Sequence, residues 1–91
     1  MNETVNKETV PAIAPGLRFQ WEEAQDCHVL LYPEGMIKLS PSAGEILRRC
    51  DGQKTIDDII AELNEQFPDA DLADDVMTFL EKAVENGWIR T

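Results

Sequence analysis

The stretch HVLLYPEGMIKLS, His28 to Ser40, reads as two short strands joined by a proline turn. His28 to Tyr32 is rich in strand formers, Pro33-Glu34-Gly35 interrupts the run, and Met36 to Leu39 resumes it. Proline presets φ at the second turn position and Gly35 tolerates a left-handed conformation after it, so a type I turn is expected. Alternation is missing. Val29 and Leu31 point to one side of a sheet, Leu30 and Tyr32 to the other, and Met36, Ile37 and Leu39 occupy both. A hairpin with one wet face reads apolar-in, polar-out, so both faces of this one need cover. Helices are expected on one face, and either the N-terminal segment or a neighbouring chain on the other.

Upstream, Pro15-Gly16 signals a turn, and Leu17-Arg18-Phe19-Gln20-Trp21 alternates strictly, with Leu17, Phe19 and Trp21 on one buried face. Pairing in chain order makes a three-stranded antiparallel meander with Met36–Leu39 on its edge. Lys38, in the middle of that edge, is the kind of charge that discourages accidental strand pairing. Residues 1–12 are polar and aperiodic, and are expected to form a flexible N-terminal arm in which Val10, with Ile13 just beyond it, is able to dock. Residues 13–91 then form a single domain.

Downstream, three helices follow. Ser40-Pro41 supplies an N-cap and a proline at the first helical position, with Ser42-x-x-Glu45 offering a capping box one step later. Ala43, Ile46, Leu47 and Cys50 form the buried stripe, and Asp51-Gly52 stops the helix. The second helix opens at Thr55 with Asp58 three residues on. It carries Ile56, Ile59, Ile60, Leu63 and Phe67 at helical spacing and ends before Pro68. The third opens at Asp71 and sets Leu72, Val76, Phe79, Leu80, Ala83 and Val84 on one face, with Met77 beside them, until Gly87. Trp88-Ile89 is expected as a short strand or as core. The expected fold is α+β and winged helix-turn-helix-like: a three-stranded antiparallel β-meander followed by three α-helices.

Ninety-one residues close one modest core, and a substrate cavity would remove much of it. No GxGxxG or Walker loop and no recognised nucleophile–base–acid spacing occurs. The single His28 lies among apolar strand residues, and Cys27 beside it points to the opposite face. No catalytic residue, metal ligand or cofactor is therefore assigned, and the chain is expected not to be an enzyme. Asp57, Asp58, Asp74 and Asp75 stand in first helical turns, where the helix dipole accounts for them. Cys27 and Cys50 read as reduced thiols of a cytoplasmic chain. There is no secretory start, and no apolar run approaches the roughly 20 residues that cross a bilayer.

Charge narrows the partners. Eighteen acids face eight bases, a net charge of −10. A helix that reads a duplex presents cations to phosphate, whereas DLADDVMTFLEKAVEN carries five acids and one Lys. Nucleic acid and anionic membrane surfaces are disfavoured, and a cationic peptide or protein surface fits.

Several residues together resemble a known family. Pro15-Gly16-Leu17-Arg18, Trp21-Glu22, HVLLYPEGMIKL, Ser42-Ala43-x-Glu45-Ile46-Leu47, Cys50-Asp51-Gly52, Thr55-Ile56-x-x-Ile59 and Asp75-Val76-x-x-Phe79-Leu80 are similar, in order, to the PqqD family of pyrroloquinoline quinone (PQQ) biosynthesis. The resemblance implies a recognition element for a ribosomally made peptide. Such an element binds the precursor peptide PqqA and presents it to the radical S-adenosylmethionine enzyme PqqE, which cross-links a Glu to a Tyr. It further implies that the peptide lies beside the third strand and against the third helix, here Met36 to Leu39 and Leu72 to Val84.

The residues support that placement on physical grounds. An unpaired edge strand offers backbone N–H and C=O groups in register for an added strand, and apolar pockets at alternate positions supply selectivity. The expected peptide-binding residues are Met36 and Lys38 on the edge, Leu31, Ile37 and Leu39 as floor, and Val76, Met77, Phe79, Leu80 and Ala83 as wall. An open edge also admits a second copy, so a monomer or an edge-paired or swapped dimer is expected. Two other readings are a structural or dimerising adaptor and a winged-helix transcription regulator.

Overall fold

The computed structural model describes residues 5–91. In chain order the elements are β1 (Ala12–Ile13), β2 (Arg18–Glu22), β3 (Cys27–Tyr32), β4 (Gly35–Lys38), α1 (Pro41–Leu47), α2 (Ile56–Gln66), α3 (Ala73–Glu85) and β5 (Ile89–Arg90). Strands β2, β3 and β4 form an antiparallel meander in that order, and the three helices follow, as the hairpin reading requires. A second ribbon pairs β1 with β5, so Trp88-Ile89 leads into a short strand with Ile89 buried.

Local chemistry sets the turns. Leu17 N–H donates to the Ala14 carbonyl at 3.2 Å, and Gly16 sits at φ 89°, the pattern of a Pro-Gly turn that needs a left-handed second residue. In the β3–β4 hairpin, Tyr32 pairs directly with Gly35 around Pro33-Glu34. Gly35 is an ordinary strand residue there, not the left-handed residue expected. The left-handed position falls at Asp26 (φ 55°), which closes the β2–β3 turn.

Helix ends follow their caps. Ser40 Oγ accepts from Ala43 N–H at 3.2 Å, so Ser40 caps α1 and the capping box expected at Ser42 does not form. Thr55 and Asp58 form the reciprocal box that opens α2. Helix α3 begins at Ala73, two residues later than expected, because Leu72 occupies the N-cap without a side-chain bond. Phe67, expected on the buried stripe of α2, leaves the helical conformation at φ −126°, ψ 72° and is exposed.

Directly opposed residues in an antiparallel ladder share a face. Phe19, Trp21, His28, Leu30, Ile37 and Leu39 thus lie on the inner face, against the helices, where Leu30 and Leu39 join the core. Trp21, expected to be buried, is half exposed at the far end of this face, edge-on to His28 at 5.1 Å. His28 stacks on Phe19 at 4.9 Å and abuts α1, where a Cβ on Gly44 would meet its Nδ1 at 2.7 Å. That close approach explains a glycine inside α1, where alanine would favour the helix by about 1 kcal/mol.

Arg49 locks α1 to α2. It is 7 % exposed, and its guanidinium donates to the Glu45 carbonyl and carboxylate, to Glu62 and to Gln66 at 2.6–3.1 Å. The Arg49 bond holds the Glu45 carboxyl below its ordinary 4.5, with partial burial opposing and Arg48 assisting. A carboxylate with a lowered folded pKa contributes stability above its unfolded value, and that stability is lost as pH falls through the folded one. Glu45→Gln is expected to flatten the acid side of the stability curve below pH 4.5. Denaturation midpoints of both proteins at pH 7 and pH 3 test this, and an unchanged difference would refute it.

The N-terminal segment corrects the expectation of a loose arm over residues 1–12. Residues 1–4 lie outside the described residues, but the chain is docked from Val5 onward. Val5 is 7 % exposed and Pro11 is buried. Lys7 and Thr9 carbonyls accept from Asp57 and Ile56 N–H at 2.9 and 2.8 Å, and the Pro11 carbonyl accepts from Gly52 N–H at 3.0 Å. The cause is the start of α2, whose first amides have no partner within the helix. Val10, expected to dock, is exposed.

Candidate functional site

Strand β4 pairs on one side only, with β3. Leu39 N–H donates to the carbonyl of His28, its opposite number, at 3.0 Å. Bonded and non-bonded pairs alternate along an antiparallel ladder, so Ile37 and Gly35 also bond inward to β3. Met36 and Lys38 then direct their N–H and C=O groups outward, where no strand lies among the described residues. These four groups are a template for one more strand.

Two depressions lie along α3, which packs on α2 and β5. At one end is an open depression of about 570 Å³ bordered by Leu17, Tyr32, Pro33, Ile37 and Trp88. At the other, Pro41, Ile46, Phe67, Leu72, Val76 and Phe79 line an apolar cavity of about 540 Å³ with Glu45 and Asp75 at its wall. Phe79 and Trp88, with ring centroids 6.4 Å apart, connect the two. The end of α3 thus lies by the hairpin turn and its start by Pro41, antiparallel to β4.

The expected binding residues separate into groups. Ile37 is half-buried on the inner face, Lys38 is exposed and Met36 is 41 % exposed. Phe79 and Val76 border the cavity, and Met77 is half-buried against the core. Leu31 does not share a floor with Ile37 and Leu39. Its ladder partners are Arg18 and Met36, which places it on the outer face. Leu39, Leu80 and Ala83 are core residues at 6 %, 0 % and 1 % exposure and line neither depression. Sequence reasoning missed Trp88 and Phe67 as lining, whereas Leu72 opened the helical segment implied to hold the peptide. The exposed aromatic just before Pro68 was the available signal, masked because it continued the spacing of α2.

The thiols differ sharply. Cys50 is buried, its Sγ donating to the Ile46 carbonyl at 3.4 Å. Burial, aided by Asp51, pushes its pKa up to about 12. Cys27 is half-buried at the start of β3. Under native conditions at neutral pH an alkylating reagent is expected to modify Cys27 first and Cys50 only on unfolding. Mass mapping of the labelled peptides checks this, and equal labelling would contradict the packing of α1. Among the described residues, no group of three His, Cys, Asp or Glu side chains is placed to hold a metal ion, and no helix is long and apolar enough to cross a membrane.

A family model described as Coenzyme PQQ synthesis protein D (PqqD) matches residues 27–89. The chain belongs to the PqqD family. Among PqqD-family relatives, it is 52 % identical to a PqqA binding protein of Azotobacter vinelandii, over 98 % of this chain and 97 % of that one. It is 53 % identical to a PqqA binding protein of Pseudomonas paraeruginosa, over 90 % of each. Its fold matches, over the whole of both chains at TM-score 0.79 and 27 % identity, the solution NMR structure of the PqqD truncation of Methylobacterium extorquens PqqCD. That PqqD is described as a functional, stand-alone RiPP recognition element. The α+β fold implied by the PqqD resemblance is thus the fold observed.

Proposed function

We propose that this chain is a peptide-recognition protein of PQQ biosynthesis that binds the ribosomal precursor peptide PqqA by strand addition along Met36–Leu39. It presents the bound peptide to the radical S-adenosylmethionine enzyme PqqE, and acts in the cytoplasm without catalysing a step itself. The observation that carries the reading is the pair of outward-directed backbone units at Met36 and Lys38, on the strand whose Ile37 borders, with Trp88, the depression at the end of α3. Ladder hydrogen bonds supply affinity with little demand on sequence, and side chains of the added strand that turn inward meet Ile37, Phe79 and Trp88. The net charge of −10 favours a peptide with Lys or Arg beside its apolar residues. The names of the relatives support the same ligand.

Titration of ¹⁵N-labelled protein with PqqA tests the placement. Amide shifts are expected to concentrate at residues 36–39 and 72–84, and shifts that leave both segments untouched would rule it out.

A further inference from the structure

The outer face of the meander, opposite the helices, has its own chemistry. Across the three strands Arg18, Leu31 and Met36 form one row, and Gln20, Val29 and Lys38 the next. Val29, at the centre of the face, is fully buried, so the apolar surface open to a partner is Leu31, half-buried, and Met36, 41 % exposed. Arg48, Arg49 and Lys54 are engaged by Glu45, Glu62 and Asp51. Arg18 and Lys38 are exposed and, like Lys7, Lys82 and Arg90, enter no ion pair among the described residues, but only these two share a face of the meander. On a molecule of charge −10, this face carries two cations that enter no ion pair and a single acid, Glu22 opposite Cys27, around Leu31 and Met36.

We infer that this face is a second docking surface, for a protein partner that sets carboxylates around an apolar side chain, and that this partner is the enzyme that modifies the peptide. The inference rests on the proposed function. A strand added to β4 continues the sheet, so alternate side chains of the peptide emerge on the outer face next to Met36 and Lys38. An enzyme seated there meets peptide and carrier on one continuous surface. Complementary charge serves encounter and selectivity, and the surrounding acids repel a like-charged partner placed elsewhere. Nucleic acid has the right sign for Arg18 and Lys38 but is opposed by the net charge.

The test uses the full chain with purified PqqE and PqqA. Arg18→Glu lies on β2, away from the free edge, and Gln20→Glu, exposed on the same strand and face, provides an independent second variant. Both are checked for folding by their amide spectra. Each is expected to weaken association with PqqE by roughly tenfold or more while PqqA affinity stays within about twofold. Wild-type association is expected to weaken as salt is raised. Wild-type-like PqqE binding by both folded variants would overturn the inference, as would equal loss of PqqA. It would also be overturned if sedimentation showed a dimer that Arg18→Glu dissolves, since the occupant would then be a second copy. Failure of the wild type to bind PqqA would count against the proposed function alone, because PqqE association is measured separately.

Discussion

Deleting residues 1–9 is expected to lower the stability of the domain by about 2–4 kcal/mol. The deletion removes the carbonyls of Lys7 and Thr9 from the Asp57 and Ile56 amides, and uncovers the core where Val5 packs. Burying a valine contributes about 1.5–3 kcal/mol and each net hydrogen bond about 0.5–1.5 kcal/mol. The ordering entropy of the released segment offsets part of the loss. For a domain of this size the melting temperature should fall by roughly 10 °C or more. Thermal unfolding followed by circular dichroism measures it. A shift within about 2 °C would mean that the docked segment contributes nothing net, and that water serves the α2 amides as well.

Lys38→Pro is expected to abolish most peptide binding while leaving the domain folded. The Lys38 amide points away from β3, so proline there removes no bond within the sheet, and edge positions tolerate its fixed φ. What it removes is an outward donor, and its ring occupies the path of an added strand. The lost bond alone is worth about 0.5–1.5 kcal/mol, and with the obstruction PqqA affinity should fall roughly ten- to a hundredfold. Lys38→Ala separates the side chain from the backbone and should change affinity by less than about threefold. Calorimetric titration of both variants distinguishes the cases. Equal effects of proline and alanine would place the contact in the ammonium group and remove the strand-addition reading.

Much of the architecture was legible because it rests on local chemistry. Pro15-Gly16 and Pro33-Glu34 turn the chain where their backbone preferences require, and Ser40-Pro41 and Thr55-x-x-Asp58 start helices through bonds made within one turn. The core residues of α1 and α3 follow from periodicity. The misses have physical causes. Leu72 takes the N-cap of α3 with no side-chain bond to announce it, and Phe67 keeps the α2 spacing after the helix has ended. Leu31 was grouped with Ile37 because a two-sided apolar strand does not reveal which side faces the helices. Only the ladder register separates them.

The sequence by itself determined a hairpin whose second strand lies on an edge, three helices, two of them opened by side-chain caps, and a net charge of −10. All of these depend on neighbours within a few residues or on summed charge. The tertiary structure alone decided that residues 5–12 are docked, that Ile37 and Trp88 border one depression at the end of α3, and that Arg18 and Lys38 share one face of the meander. Each of those is a relation between segments far apart in the chain. Such relations arise when open backbone groups and apolar stripes find partners, and local propensity carries no record of the choice.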